Sequence, residues 1–189
     1  MGKQDALSGT ASGLRMGREE FREWAMEKGI RAERVAGEVV LMAPERMRHN
    51  RVKLNVALAL REAIGAAGLP CEAFTDGVTI EVGEDTDYEP DAVVSCGDRL
   101  DDEAIAVADP VIVVEVESPS TRSVDAGGKL ADYFRLASVQ HYLIVRTRRR
   151  QVIHHRRDGE RIETRIVNGG ILELDPPGIP VAIETFYSG

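Results

Sequence analysis

Residues 111–116 read Val-Ile-Val-Val-Glu-Val, and no other stretch of the chain constrains its fold as tightly. A run so rich in β-branched side chains favours a strand. It lacks the alternation of a half-exposed strand, so both of its faces need cover. That need points to a layered domain with helices and strands packed on each side of a sheet. The same strand carries two acids. Glu115 and Glu117 are two positions apart, so their side chains share one face. An acid at the end of so apolar a strand is costly unless it is paired or holds a metal ion.

The rest of the chain supplies the layers. Phe21, Trp24, Ala25 and Lys28 have helical spacing, with Gly29 as the stop. Residues 31–35 and 38–43 read as two strands joined at Ala36-Gly37. Residues 46–67 form the longest helical pattern, with Val52, Val56, Ala59, Leu60, Ala63 and Ile64 as its apolar stripe and Gly68 and Pro70 as its stop. Residues 72–75 and 78–82 flank Asp76-Gly77, a hairpin turn pair. Residues 92–95 are a short strand after Pro90-Asp91, and 96–108 a polar, acidic connection. A helix over 125–137, weakened by Gly127-Gly128, leads into a strand over 141–145. Residues 151–156, 161–167 and 171–174 read as hairpin strands. The order predicts a mixed α/β sandwich around one sheet. The expected organisation is a flexible tail over residues 1–13, then a single domain over 14–189.

Composition narrows the functional classes. No apolar run approaches a membrane span, and residues 1–13 lack a signal-peptide layout. The expectation is a cytoplasmic protein with no membrane partner. Cys71 and Cys96 have no zinc spacing and read as buried free thiols in a reducing compartment. A net charge of −8 argues against broad nucleic-acid affinity. The charge is uneven, however: residues 146–157 hold six arginines, two histidines and no acid.

Three short stretches carry the chemistry. Asp91 follows Pro90 at the mouth of a strand, Glu115 and Glu117 end the apolar strand, and Lys129 lies in the first turns of the next helix. Carboxylates gathered at adjacent strand ends suit a divalent ion, and a nearby ammonium can act on water or stabilise an anion. Asp125, Lys129 and Tyr133 share one helix face. The plain reading of that trio is a surface ion pair beside a half-buried tyrosine.

Pro90-Asp91, Glu115-Val116-Glu117 and Lys129 resemble the PD-(D/E)xK nuclease superfamily. More narrowly, GEVVLMAPERMRHN, EPDAVV and VVEVESPSTRSVDAGGKLADYFRLASVQHYLIV resemble the Uma2 family of candidate restriction endonucleases, from about Glu19 to the C-terminus. The resemblance implies a restriction-endonuclease-like mixed β-sheet flanked by helices. It implies Mg²⁺ or Mn²⁺ held by Asp91 and Glu115, with the Val116 carbonyl, and a DNA endonuclease activity. The superfamily's lysine usually stands where this chain has Glu117, so the resemblance implies that Lys129 has taken over from the helix. Lys129 or Glu117 would then act on the attacking water.

Glu38 and His49 match the family's Gly-Glu strand and its helical histidine, as a further carboxylate and a phosphate or metal-water contact. Their plain readings are a solvent-facing strand end and a polar contact at a helix start. The family commonly ends its post-helix strand in Asp, where this chain has Arg146. Arg146, Arg148, Arg150 and Arg156 are the candidate phosphate contacts, the last three in one row with His154; the plain reading is a solvated basic turn. The rival function is a non-catalytic homodimer of the same fold that binds nucleic acid or protein. The apolar C-terminal strands and Phe186-Tyr187 are the expected homodimer face.

Overall fold

The computed structural model describes residues 11–117 and 126–188. The elements run β1 (Ala11–Arg15), α1 (Arg18–Lys28), β2 (Ala32–Val35), β3 (Glu38–Leu41), α2 (Met47–Ala67), β4 (Cys71–Thr75), β5 (Ile80–Val82), β6 (Thr86–Tyr88), β7 (Ala92–Cys96), β8 (Pro110–Glu117), α3 (Ala126–Tyr133), β9 (His141–Arg146), β10 (Gln151–Asp158), β11 (Arg161–Val167), β12 (Ile171–Leu174) and β13 (Ile179–Ala182). A 3₁₀ turn, Ile183–Tyr187, follows β13.

The architecture is mixed α/β, and it uses three sheets rather than the one expected. Six strands form the central sheet in the order β11-β10-β9-β8-β7-β4. Only β8 and β9 run parallel in it, through the crossover that contains α3. A five-stranded antiparallel sheet has the order β1-β3-β2-β6-β5, and β12 pairs with β13.

β8 lies inside the central sheet and is covered on both faces, as its sequence requires. Ile112, Val114 and Val116 pack with Val52, Val56, Leu60 and Ile64 of α2, and with Leu174, Ile179 and Phe186. Val113 faces the opposite side, with Tyr133 and Phe134 and with Ile80, Val82 and Tyr88 of the five-stranded sheet. The period of two along a strand separates these two cores. Gly68 stops α2 in the left-handed region, φ 63°, where glycine carries no steric cost.

Several expectations are corrected. Asp76-Gly77 is not a hairpin turn: β4 pairs with β7 in the central sheet, and β5 pairs with β6 in the other. The dipeptide is where the chain changes sheets. Cys71 and Cys96 are not free thiols. They face each other across β4 and β7 and form a disulfide. Strand register, which spacing in sequence does not reveal, brings them together. β12 does not extend the β10–β11 hairpin but pairs with β13 beneath α2. Phe186 is fully buried, and the Tyr187 hydroxyl bonds the backbone of Gln151, so these two residues pack against the chain's own core. β1 opens at Ala11, inside the expected tail. Among the described residues no helix is long and apolar enough to cross a membrane.

Candidate metal centre and basic cleft

The site forms where the β7–β8 ladder ends. Their register ends with Ala92 opposite Val114, so Asp91 stands just before β7 and Glu115 just after that last pair. One step further, Pro90 would oppose Val116. Proline has no N–H to donate. The Val116 amide instead donates to Asp91 Oδ2 at 2.6 Å, and His49 Nε2 donates to the Val116 carbonyl at 2.7 Å.

His49 comes from the first turn of α2 and is buried. Its Nε2 lies 3.4 Å from Asp91 Oδ2, and its Nδ1 lies 3.3 Å from Glu45 Oε2. Burial alone would lower the His49 pKa, but Asp91, Glu45 and the Val116 carbonyl outweigh it and raise it. One ligand atom from each of Glu45, His49 and Asp91 lies within 4.8 Å of the other two, a grouping that fits a metal ion. Lys53, one turn beyond His49, reaches Glu45 at 2.5 Å, Asp76 at 3.1 Å and Asp91 at 3.8 Å. Arg31 pairs with Asp76 at 2.6 Å and with Glu89.

The second half of the site comes from α3. Lys129 Nζ donates to Glu115 Oε1 at 2.9 Å and to Glu33 Oε1 at 2.7 Å. Tyr133, fully buried rather than half-buried, donates its hydroxyl to Glu115 Oε1 at 2.8 Å. Burial pushes the Glu115 carboxyl up to about 7; Asp91 and Glu33 add to this and Lys129 opposes it. Burial alone would lower Lys129, but Glu115 and Glu33 hold it well above the ordinary lysine value. Lys129 is therefore a fixed cation at neutral pH, able to stabilise an anion but not to accept a proton.

The structure thus brings Asp91, Glu115, His49, Lys129 and Tyr133 together. Asp125 lies outside the described residues. Glu38 stands beside the Ala36-Gly37 turn, paired across the hairpin with Val35. The acid that this hairpin contributes is Glu33. Glu117 is register-paired with Arg146 across β8 and β9, and their side chains form an ion pair at 3.0 Å. Glu33, Glu45 and Lys53 escaped the sequence reading. Glu45 had one legible signal, its i, i+4 spacing to His49.

The arginines divide by position. Arg148 lines a cleft of about 360 Å³ together with Arg46, Arg48, His49, Arg51 and Thr147. Arg150 stands in the same β9–β10 turn and is exposed. Arg156 lies at the other end of β10, opposite His141. His154 is buried against His141 and joins no exposed row. A strand period places residues on a face but does not say which face is covered, so the expected row fails there.

A Uma2 family model, described as "Putative restriction endonuclease", matches residues 18–185. The chain is 26% identical over 174 residues to the uncharacterized protein slr1290 of Synechocystis sp., covering 90% of each. It is 28% identical over 142 residues to the uncharacterized protein sll1609 of the same organism, covering 74% of this chain and 77% of the relative. A crystal structure of "a putative nuclease belonging to DUF820" from Anabaena variabilis shares the fold: the TM-score is 0.65 at 13% identity, over 84% of this chain and 90% of that one.

Proposed function

The chain belongs to the Uma2 family, and from that premise we propose that it is a divalent-metal-dependent nuclease that hydrolyses phosphodiester bonds in DNA. One observation carries the proposal: a net-negative cluster and an arginine-lined cleft adjoin, with His49 in both. Among the described residues Glu33, Glu45, Asp76, Glu89, Asp91 and Glu115 face three full cations, Arg31, Lys53 and Lys129, plus the His49 ring. The excess negative charge favours a divalent cation. Phosphodiester hydrolysis calls for such a cation beside an anion-binding surface.

Asp91 and Glu115 would hold Mg²⁺ or Mn²⁺, with Glu45 and His49 completing the donor set. Bound there, the ion supplies Lewis acidity toward the phosphate and lowers the pKa of water. Lys129 stabilises developing negative charge from a position fixed by Glu33 and Glu115. Tyr133 and Glu33 orient those two groups. Arg46, Arg48, Arg51 and Arg148 would track the DNA backbone. Among the described residues none of these four guanidinium groups pairs with an acid, and the first turn of α2 holds no acid to balance them.

The test is calorimetric titration of Mn²⁺ into the wild type and into Asp91→Asn with Glu115→Gln, alongside plasmid cleavage. Loss of metal affinity by about tenfold or more, together with loss of cleavage, is the expected result. Undiminished binding overturns the site. The Glu117–Arg146 pair favours the rival reading, a non-catalytic binding module, because it occupies both residues. Metal and DNA binding by the wild type without cleavage would establish that rival.

A further inference from the structure

β11 is an edge of the central sheet, paired with β10 on one side. That pairing runs without a bulge through seven residue pairs, from Asp158 and Arg161 to Val152 and Val167. β11 contains no proline or glycine, and its residues are exposed from Arg161 to Ile166. Proteins usually blunt such edges, because a regular open edge presents backbone donors and acceptors to another strand. This edge also exposes Ile162 at 41% and Ile166 at 62%, on one face with Thr164.

The strand reads Arg161-Ile162-Glu163-Thr164-Arg165-Ile166-Val167. Laid antiparallel against itself about Thr164, it is complementary in both charge and apolarity. Ile162 meets Ile166 of the partner subunit, Glu163 meets Arg165 of the partner subunit, and Thr164 meets its own copy. The other symmetric registers fail on the same residues. A two-fold through Glu163 sets that acid against itself and Arg161 against Arg165. A two-fold through Arg165 opposes two arginines. One through Ile162 leaves most of the strand unpaired. Like charges directly opposed destabilise a pair, whereas opposite charges and β-branched pairs stabilise it. In the single chain Glu163 and Arg165 already bond along the strand, at 2.9 Å, with 43% and 62% of their side chains exposed. Both remain accessible to a partner.

We propose that β11 is a homodimer interface: a second copy of this chain adds its own β11 antiparallel, about a two-fold axis through Thr164, and joins the two six-stranded sheets into one. This inference is independent of the nuclease reading.

Charge reversal tests it. Sedimentation velocity on the full chain should show a dimer for the wild type. Arg165→Glu and Glu163→Arg each alter two symmetric pairs at once, so each alone should weaken self-association by about tenfold or more. Combining both changes in one chain should restore the dimer. An equimolar mixture of the two single variants should form a heterodimer, because every crossed pair is then of opposite sign. Circular dichroism checks that the variants, changed only at exposed positions, keep the fold. A wild type that stays monomeric, a dimer indifferent to Arg165→Glu, or no recovery in the double variant and the mixture would each overturn the assignment.

Discussion

Asp91 and His49 grip the same residue from two sides: Asp91 accepts the Val116 amide and His49 donates to the Val116 carbonyl. His49 supplies the donor that Pro90 lacks and Asp91 takes the Val116 amide, so the end of a strand pair becomes a rigid polar site.

The first prediction concerns the donor set. An imidazole beside carboxylates favours Mn²⁺ over Mg²⁺, because nitrogen donors rank the metals more steeply than oxygens do. Calorimetry should show tighter Mn²⁺ than Mg²⁺ binding in the wild type. His49→Ala should cut Mn²⁺ affinity by about tenfold or more and narrow the gap between the metals. Equal losses for both ions would reduce His49 to a structural hydrogen bond.

A second prediction follows from Lys129 bridging Glu33 and Glu115. Lys129→Met keeps the stem and removes the charge, leaving two carboxylates facing each other. A removed partner of a buried pair costs about 3–5 kcal/mol; partial exposure here, 18% for Lys129, brings the expected loss to about 2 kcal/mol. Urea unfolding measures it. Adding Glu115→Gln should recover part of the loss, and additive losses would show that the two residues are not coupled. Tyr133→Phe, which removes one hydroxyl bond, should cost about 1 kcal/mol.

Sequence legibility follows the range of the interactions. The two-sided cover of β8 and the apolar stripe of α2 are local periodicities, and both appear as read. Lys129 and Tyr133 share one face of α3, as their spacing indicates, but that both bond Glu115 is a tertiary contact the spacing does not specify. Glu33 and Lys53 gave no signal: a single charged residue on a short strand or a helix says nothing of a partner 96 or 38 positions away. Asp76-Gly77 has hairpin chemistry, yet turn residues do not dictate which sheet the next strand joins. Glu117 and Arg146 looked like two separate departures from the family pattern. The parallel register of β8 and β9 makes them one, a paired acid and base.

The Cys71–Cys96 bridge gives a third prediction. It closes a segment with a sequence separation of 25. In the chain-entropy account a loop of that length is worth about 3 kcal/mol. Chemical unfolding with and without dithiothreitol should differ by an amount of that order. Cys71→Ala with Cys96→Ala should match the reduced protein and lose its sensitivity to reductant. A native protein that titrates two free thiols would exclude the bridge.

The last prediction is an acid sensitivity built into the β9–β10 pair. His141 Nε2 lies 2.9 Å from the Pro176 carbonyl, which can only accept, so this nitrogen carries the proton. In the neutral ring Nδ1 is then an acceptor, and it takes the proton of His154 Nε2, also at 2.9 Å. Protonating His141 would set two N–H groups against each other. Burial lowers His141 to about 4, with Arg156 adding to it and the Pro176 carbonyl and Asp175 opposing. Burial likewise lowers His154 to about 4, with His141, Arg165, His155 and Arg156 adding to it. The unfolded rings bind protons near 6.5, so between 6.5 and 4 the unfolded state holds more protons. Their contribution to stability is full above that window, is lost as pH falls through it, and levels off below 4. Glu115 works the opposite way: its raised carboxyl gains stability as pH falls from about 7. The urea midpoint measured across the window in wild type and in His141→Gln with His154→Gln separates the two. The variant should lose these two rings' share of the acid-side fall, leaving that of His155, which burial also lowers, and an unchanged slope would mean that the two rings are charged in the folded protein.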